Sequence, residues 1–490
     1  MITKIEGESI ELRVLLVNPP RFHGIPVIRE ERCEITERYS VLPPYSLLQI
    51  ASLLRNEGHT VQLIDANGWN LGWKELISRI KSTKYDVLIF RFTPTTFDWD
   101  TKIASISKRA HPKALTAGIC WTLRTVPKEV LQDCANLDVY IMHEYETVAP
   151  ALVSAISNGE DLSAVLGIAY RTSNNIKVNS PAKPLSDWDS LPLPAYDLLQ
   201  SLKNYHINTP HGSPFTIMYT SKGCPYSCIY CTVRNTKLKT RSAESILNEL
   251  RYLKQKFNIR IVSFFDETFT ISRDRVITIA EAIKKEMLGI VWYCNTRVDL
   301  VDRDMLRIMY EGGCRGISYG IESGCQKILD NAKKGITVEQ AENAIRWAKD
   351  VGIKVYCSFM FGLPGENWKT VEETIKFVKR TLPTGAQFNV AVPYPGTELY
   401  KIAVEKGWIK EGINWREMYQ HEAAMRTDEL SYEDLNKARK MAYRALYLNP
   451  KWWLQNIGHT LRHPEDFLLA TKYVIKIIKN YIFHKMAHAH

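Results

Sequence analysis

Short apolar segments alternate with helical stretches along the first 150 residues, and this alternation constrains the fold more than any other feature of the 490-residue chain. Segments typical of buried strands occur at 12–17, 60–64, 86–90, 115–117 and 138–142. Strands that alternate with helices form right-handed βαβ units and a doubly wound parallel sheet. The amino-terminal half is therefore predicted to be an α/β domain whose ligands bind at the carboxyl ends of its strands.

Polar and small residues follow each of these strands, where such a ligand would lie. No Gly-x-Gly-x-x-Gly follows the first strand, which argues against a dinucleotide. The candidate ligand contacts at this edge are Asn18, Thr93, Thr96, Gly118, Trp121, Thr122, Glu144 and Glu146.

Three cysteines lie within eight residues, at Cys224, Cys228 and Cys231, inside SKGCPYSCIYC. Three thiolates at this spacing can bind three irons of a 4Fe–4S cubane and leave the fourth iron without a protein ligand. A zinc site usually shows two cysteine pairs, or a cysteine pair with a histidine pair, and no second pair exists in this chain. The spacing favours a cluster over zinc or no metal.

The cysteine loop resembles the signature of the radical S-adenosylmethionine (SAM) superfamily. This resemblance implies a partial barrel of six strand–helix units, with polar residues after each strand on the catalytic face. Tyr230 matches the position that lies against the adenine in this superfamily. The other expected SAM contacts follow the later strands: Asp266, Glu267, Arg297, Gly320, Glu322, Ser323, Gly362 and Pro364.

The amino-terminal half is similar to the cobalamin-binding domain fused to many radical SAM enzymes. The resemblance rests on the order of elements, on Glu144-x-Glu146 and on DWDSLPLPAYDLL at 187–199. It implies that the candidate ligand contacts at the carboxyl edge of the sheet bind cobalamin. The Asp-x-His-x-x-Gly element of some cobalamin proteins is absent, so cobalt is not expected to bind a histidine from that motif. A degenerate domain that binds nothing, or that only shapes the substrate site, is the alternative. Methylthiotransferases resemble the chain only in outline, because their first domain carries three further cluster cysteines.

These patterns predict a cobalamin-type domain at 1–170, a polar linker at 171–212, a radical SAM barrel at 213–405 and a helical, basic region at 406–490. The linker is expected to wrap around the domains rather than pack. A helix is expected at 431–447, with Ser431 as its cap.

Positive charge concentrates near the carboxyl terminus, where residues 437–490 hold ten lysines and arginines against two acidic residues. The segment 466–485 has the pattern of a basic amphipathic helix, which either lies on an anionic membrane surface or packs on the barrel with solvated lysines. No nucleic-acid-reading module is evident.

The remaining seven cysteines form no close pair, which argues against a disulfide scaffold and for a reducing compartment. No apolar run reaches the roughly 18 residues that span a bilayer. The protein is expected to be cytoplasmic, with possible peripheral membrane contact.

The resemblance implies that SAM is cleaved to a 5′-deoxyadenosyl radical, which abstracts hydrogen from an unactivated C–H bond. Cobalamin-dependent C-methylation of a hydrophobic substrate, such as an isoprenoid lipid, is the leading hypothesis. Radical cyclisation or carbon–carbon coupling, of a porphyrin ester or a membrane lipid, is the alternative. A cobalamin-sensing regulator is disfavoured because it would not need an open cluster. An external electron donor is expected, and the sequence identifies no catalytic residue beyond the cofactor contacts.

Overall fold

The computed structural model describes residues 10–30, 40–142, 144–207, 209, 211–409, 416, 418 and 422–462. The chain divides into two compact units, Met1–Tyr205 and His206–His490.

The first unit is built on a seven-stranded sheet with the order β2-β1-β3-β4-β5-β6-β7. The first five strands are parallel, and β6 and β7 join them antiparallel. The strands are β1 (Arg13–Asn18), β2 (Thr60–Asp65), β3 (Val87–Arg91), β4 (Leu115–Ile119), β5 (Val139–Ile141), β6 (Ile168–Arg171) and β7 (Ile176–Val178). The order reverses at β1 and β3, which places a topological switch point between them. The predicted doubly wound sheet is confirmed.

Helices flank this sheet because each of its central strands is buried on both faces; all five residues of β3 are buried, for example. The helices are α1 (Tyr45–Asn56), α2 (Trp73–Ser82), α3 (Phe97–Asp100), α4 (Lys102–Ala110), α5 (Pro127–Asp133) and α6 (Tyr145–Asn158).

Much of the segment predicted as a wrapping linker packs within the first unit. The Ala195 amide donates to the Leu48 carbonyl at 3.1 Å, and the Gln49 side chain donates to the Pro192 carbonyl at 2.8 Å. Tyr196 and Tyr205 are fully buried. The segment differs from the expectation because its aromatic and leucine side chains bury apolar area against α1 and the sheet.

The second unit holds a parallel six-stranded sheet with the order β15-β14-β13-β12-β11-β8, and a separate β9–β10 pair. Its strands are β8 (Phe215–Met218), β9 (Ser221–Lys222), β10 (Lys239–Thr240), β11 (Ile261–Phe264), β12 (Val291–Thr296), β13 (Cys314–Glu322), β14 (Lys354–Phe361) and β15 (Gly385–Val390). Its helices are α7 (Ala243–Phe257), α8 (Arg273–Lys285), α9 (Arg303–Glu311), α10 (Gln326–Asn331), α11 (Val338–Asp350), α12 (Trp368–Thr381), α13 (Glu398–Glu405), α14 (Tyr432–Tyr447) and α15 (Pro450–Arg462). Six strands that alternate with helices match the predicted partial barrel.

The carboxyl-terminal helices pack on this sheet. Ser431 begins α14 with a capping box to Asp434, as predicted, and Tyr443 of α14 contacts Phe388 of β15 with ring centroids 4.9 Å apart. Trp452 of α15 donates to the Pro383 carbonyl at 3.0 Å. The predicted amphipathic helix at 466–485 lies outside the described residues. Within the described part of the chain, no helix combines the length and apolar character that a membrane span requires.

Candidate functional site

The three cysteines lie in the loop that follows β8 and the short strand β9. This loop is closed by backbone bonds, because the Thr236 amide donates to the Cys224 carbonyl and the Asn235 amide donates to the Tyr226 carbonyl, both at 3.0 Å. Gly223 precedes the first cysteine with φ +92°, and a Cβ there would lie 2.3 Å from the Lys237 carbonyl oxygen. Only glycine fits this position, which turns the chain into the cysteine loop.

The donor set of this loop fits an iron–sulfur cluster. Cys228 is buried, while Cys224 and Cys231 are half-buried. Burial, with the negative charge of the neighbouring thiolates, raises the pKa of the Cys231 thiol to about 12. Three crowded thiolates are therefore unfavourable unless a metal shares their charge, and soft sulfur ligands select Fe–S clusters. Across the described residues, no group of three His, Cys, Asp or Glu is arranged around a single metal ion.

Asp266 follows β11 and holds the start of the cysteine loop. Its Oδ1 accepts from the backbone amides of Thr220 and Ser221 at 2.7 and 3.1 Å, and its Oδ2 accepts from both of their hydroxyls. Asp266 is fully buried. This predicted SAM contact is thus placed inside the protein, where its carboxylate fixes the backbone that leads into the loop. Glu267 is half-buried beside it, and its negative charge contributes to the raised pKa of Cys224, after the larger effect of burial.

Glu322 forms a buried ion pair with Lys334, a residue that sequence reasoning missed. Lys334 Nζ lies 2.8 Å from Glu322 Oε1, and both side chains are less than a tenth exposed. The same ammonium donates to the Tyr230 hydroxyl at 3.3 Å. Burial lowers the pKa of Lys334, but the charges of Glu322 and Cys228 outweigh it and raise the pKa above its ordinary value. The predicted contacts Tyr230 and Glu322 are therefore brought together by a cation beside the cysteine loop.

Arg297 stacks on the cysteine loop from the end of β12. Its guanidinium carbon lies 3.6 Å from the centroid of the Tyr226 ring. Asp299 holds it in a two-pronged pair, with Nε–Oδ1 at 2.9 Å and Nη2–Oδ2 at 3.0 Å. Stacking of this kind is a property of arginine that lysine does not share. A fixed positive charge thus lies over the loop that carries the thiols.

The remaining predicted SAM contacts lie at the ends of β13 and β14. A Cβ at Gly320 would lie 2.9 Å from Glu322 Oε1 and 3.1 Å from Lys334 Nζ, so Gly320 leaves room for that ion pair. Ser323 is buried and shares a hydrogen bond of 3.0 Å with Thr374. The Gly362 amide donates to buried Glu366, and the Pro364 carbonyl accepts from Asn331 at 2.8 Å.

In the first unit, the predicted cobalamin contacts share the carboxyl edge of the sheet. Asn18 ends β1 and donates to Asp65 at 2.7 Å. The Thr93 and Thr96 hydroxyls lie 2.9 Å apart after β3, and Thr96 donates to Asp100 at 2.6 Å. A buried ion pair between Arg29 and Asp100, 2.7 Å long, holds the loop after β1 against α3.

The other predicted contacts follow β4 and β5. Gly118 lies in β4, where a Cβ would lie 2.9 Å from the Phe92 ring. The guanidinium carbon of Arg124 lies 4.4 Å from the centroid of the Trp121 ring. Thr122, next to Trp121, is buried. Glu144 begins α6 with φ +39°, and Glu146 is buried in its first turn. Hydroxyl, indole and backbone groups gathered at a switch-point edge suit a large polar cofactor such as cobalamin.

Lys334, Arg29 and Asp100 were not predicted because their ion pairs depend on the fold rather than on a local sequence pattern. Arg29 and Asp100 are 71 residues apart, and Lys334 lies in the charged run NAKKGI, where nothing distinguishes it from Lys333. A lysine shortly after the GIES segment was the only available signal.

Comparison with known proteins agrees with this geometry. The model of the B12 binding domain matches residues 32–153, and that of the Radical SAM superfamily matches residues 218–378. An uncharacterized methyltransferase of Pyrococcus horikoshii is 33% identical over 453 residues, which cover 91% of this chain and 95% of the relative. An anaerobic magnesium-protoporphyrin IX monomethyl ester cyclase of Rubrivivax gelatinosus is 27% identical over 450 residues, covering 89% of this chain and 78% of that one.

Solved structures show the same fold. The radical SAM methyltransferase TsrM from Kitasatospora setae, solved with cobalamin and a 4Fe–4S cluster, has a TM-score of 0.69 at 17% identity and covers 90% of both chains. The fold class predicted from the sequence and the predicted cofactors are thereby confirmed. The chain belongs to the cobalamin-binding radical SAM enzymes, whose cofactors are a 4Fe–4S cluster, SAM and cobalamin.

Proposed function

We propose that this enzyme methylates an unactivated carbon of a small-molecule substrate. The observation that carries the proposal is the combination, in one chain, of the three-cysteine loop with its Glu322–Lys334 pair and a cobalamin-type edge. The relative from Pyrococcus, which aligns over nearly its whole length, bears the name methyltransferase. When bound, the cluster and SAM supply a 5′-deoxyadenosyl radical and cobalamin supplies a methyl carrier.

The residues beside the cysteine loop can bind the amino-acid end of SAM. The carboxylate of SAM would pair with the Lys334 ammonium, and the ammonium of SAM would pair with the Glu322 carboxylate. SAM would thus extend the ion pair that these two residues form in the protein without it. Tyr230, which accepts a hydrogen bond from the same lysine, would contact the adenosyl group. Arg297 would keep Tyr226 and the loop in place while its charge faces the thiolates.

The edge of the first unit would bind cobalamin through Asn18, Thr93, Thr96, Thr122 and the loop at Trp121. The Arg29–Asp100 pair would act by positioning, because it fixes two of the loops that form this edge.

Two finer expectations stay predictions. The reaction needs an external electron donor, whose chemistry the described residues do not indicate. Membrane contact, and an isoprenoid lipid as substrate, rest on the basic segment 466–485 outside the described residues.

Radical cyclisation without methyl transfer is the second candidate. The observation that favours it is the 27% identity to a protoporphyrin ester cyclase over most of this chain. The two reactions share hydrogen abstraction and differ in whether a second SAM is consumed.

One anaerobic experiment separates them. The protein is reconstituted with iron, sulfide and cobalamin, given SAM, a reductant and a cell extract, and its nucleosides are quantified by mass spectrometry. Equal amounts of substrate-dependent 5′-deoxyadenosine and S-adenosylhomocysteine are expected for a methylase. Substrate-dependent 5′-deoxyadenosine alone would identify a cyclase or coupling enzyme. No 5′-deoxyadenosine, with the cluster verified by spectroscopy, would contradict both.

A further inference from the structure

The two faces of the barrel sheet differ sharply in chemistry. Successive residues of a strand point to opposite faces. Along β14, the alternate residues Val355, Cys357, Phe359 and Phe361 are buried, whereas those between them are half-exposed. Phe359 and Phe388 stack at 5.3 Å, and Phe388 contacts Tyr443 of α14, so this apolar face is the one covered by helices. The opposite face is the inner face of the barrel.

The inner face is polar across four strands. The strand register pairs Asn295 with Ser318, Ser318 with Tyr356, and Ser358 with Gln387. Asn389 lies two residues beyond Gln387 on the same face, next to Met360. We call this set the inner wall; it consists of Asn295, Ser318, Tyr356, Ser358, Gln387 and Asn389.

Two aromatic rings form the floor of this wall at its amino end. A Cβ at Gly316 would lie 2.6 Å from Cδ1 of Tyr293 and 3.4 Å from Cε2 of Tyr356. Glycine at this position therefore leaves space that both rings border. Flat rings in this position favour a ligand with a flat face over a flexible chain.

Asn389 carries an acceptor that needs a ligand. Its side chain is only 7% exposed, and its Oδ1 has no hydrogen-bond partner among the described residues. An unpaired buried amide oxygen is unfavourable, and such groups are normally satisfied by protein, water or ligand. The oxygen lies on the face where a substrate would bind.

None of the six side chains of the inner wall is charged, and Lys354 lies on the same face at the amino end of β14. The nearest charges at the end of β13 are those of Glu322 and Lys334, which pair with each other. Bound SAM is expected near the cysteine loop after β8 and at the ends of β13 and β14, whereas Gln387 and Asn389 lie on β15, the outermost strand at the other edge of the sheet order. These side chains are therefore left for the substrate.

We propose that the inner wall selects an uncharged, polar substrate with several hydrogen-bonding groups around a flat moiety. The inference rests on the proposed methyltransferase function and names its substrate class. Asn389 and Gln387 accept from and donate to the substrate, while Tyr356 contacts its flat face. A saturated hydrocarbon chain would leave these amides unpaired, and a multiply charged metabolite would meet no counter-charge among the six side chains of the inner wall.

The test uses the full chain with all three cofactors. An extract of the source cells is separated into a lipid fraction, an ionic water-soluble fraction and a neutral water-soluble fraction. Substrate-dependent 5′-deoxyadenosine is measured with each fraction. The neutral fraction is expected to stimulate its formation at least tenfold. Stimulation by the lipid or the ionic fraction alone, or by none, would overturn the inference. Stimulation by the neutral fraction without any methylated product would instead contradict the methyltransferase function and leave the substrate class standing.

Substitutions in the inner wall then test whether its side chains determine the substrate selectivity. With the active fraction, Gln387→Met and Asn389→Leu are expected to lower kcat/KM about tenfold each, since each removes hydrogen bonds without much change in volume. Gln255→Met, the same chemical change on the exposed face of α7, is the matched control and should have no effect. The Kd for SAM, measured by equilibrium dialysis, should stay within twofold in all variants. An equal loss of SAM affinity would show that the wall serves SAM and would overturn the proposal.

Discussion

At the scale of single residues, the site depends on charges that are buried and must therefore be paired. Lys334 and Glu322 lie inside the protein at 2.8 Å, and the removal of one partner leaves the other as an uncompensated buried charge. Breaking such a pair is far more costly than replacing both members by neutral groups of similar size.

Lys334→Met should consequently lower the free energy of unfolding by about 3 kcal/mol and weaken SAM binding. Lys333→Met is the matched control, because Lys333 pairs with Glu398 on the surface with 54% of its side chain exposed. That change should alter stability by less than about 0.5 kcal/mol. Urea denaturation provides both values. If the double variant Glu322→Gln, Lys334→Met were no more stable than Lys334→Met, the pairing argument would fail.

Glu366, in the loop after β14, makes the stability of the fold depend on pH. It is 1% exposed, and burial raises its pKa from 4.5 to about 8, although the Gly362 and Leu363 amides lower it in part. The folded state thus prefers the protonated acid more than the unfolded chain does. The stabilisation is fully present below about pH 4.5 and is lost as the pH rises through about 8.

We therefore expect the wild-type protein to lose roughly 2–3 kcal/mol between pH 5.5 and 8.5 relative to Glu366→Gln, which cannot ionise. The two proteins are compared by urea denaturation at both pH values. Parallel pH profiles for the two would show that Glu366 is not the titrating group.

At the scale of elements, the cysteine loop is positioned by the strand beside it. Asp266 at the end of β11 accepts hydrogen bonds from both amides and both hydroxyls of Thr220 and Ser221, immediately before the loop. Asp266 therefore fixes the direction in which the chain leaves β8 and enters the cysteine loop.

Asp266→Asn should reduce the 4Fe–4S content after reconstitution by at least half, because the amide nitrogen would face donors rather than accept from them. Asp274→Asn, on the exposed side of α8, is the control and should bind a full cluster. Iron and sulfide analysis with the absorbance of the cluster measures the outcome. Full cluster content in Asp266→Asn would mean that the loop holds its geometry without this anchor.

The elements themselves could be predicted from the sequence, since apolar strands, turn residues and the cysteine spacing are local signals. The helix at Ser431 was predicted with its cap because a capping box spans only four residues. The pairings that build the site could not be predicted. Asn18 and Asp65 are 47 residues apart, and no local pattern around Asp266 indicates that its carboxylate accepts from Thr220 and Ser221. The unpaired oxygen of Asn389 likewise depends on the packing around β15, which no sequence pattern specifies.

At the scale of the whole molecule, each unit offers one carboxyl edge of a parallel sheet, and the chain continues beyond them into the basic segment that includes Lys472, Lys476 and Lys479. Deletion of residues 463–490 should leave Tm nearly unchanged, because α15 is already held through buried Trp452. The same deletion should weaken partitioning onto phosphatidylserine vesicles by tenfold or more, given about 1 kcal/mol per lysine near an anionic surface. Sedimentation with vesicles in 0.05 and 0.3 M salt measures this, with neutral phosphatidylcholine vesicles as the control. Unchanged partitioning after the deletion would show that these lysines are merely solvated and that the segment does not bind an anionic membrane surface.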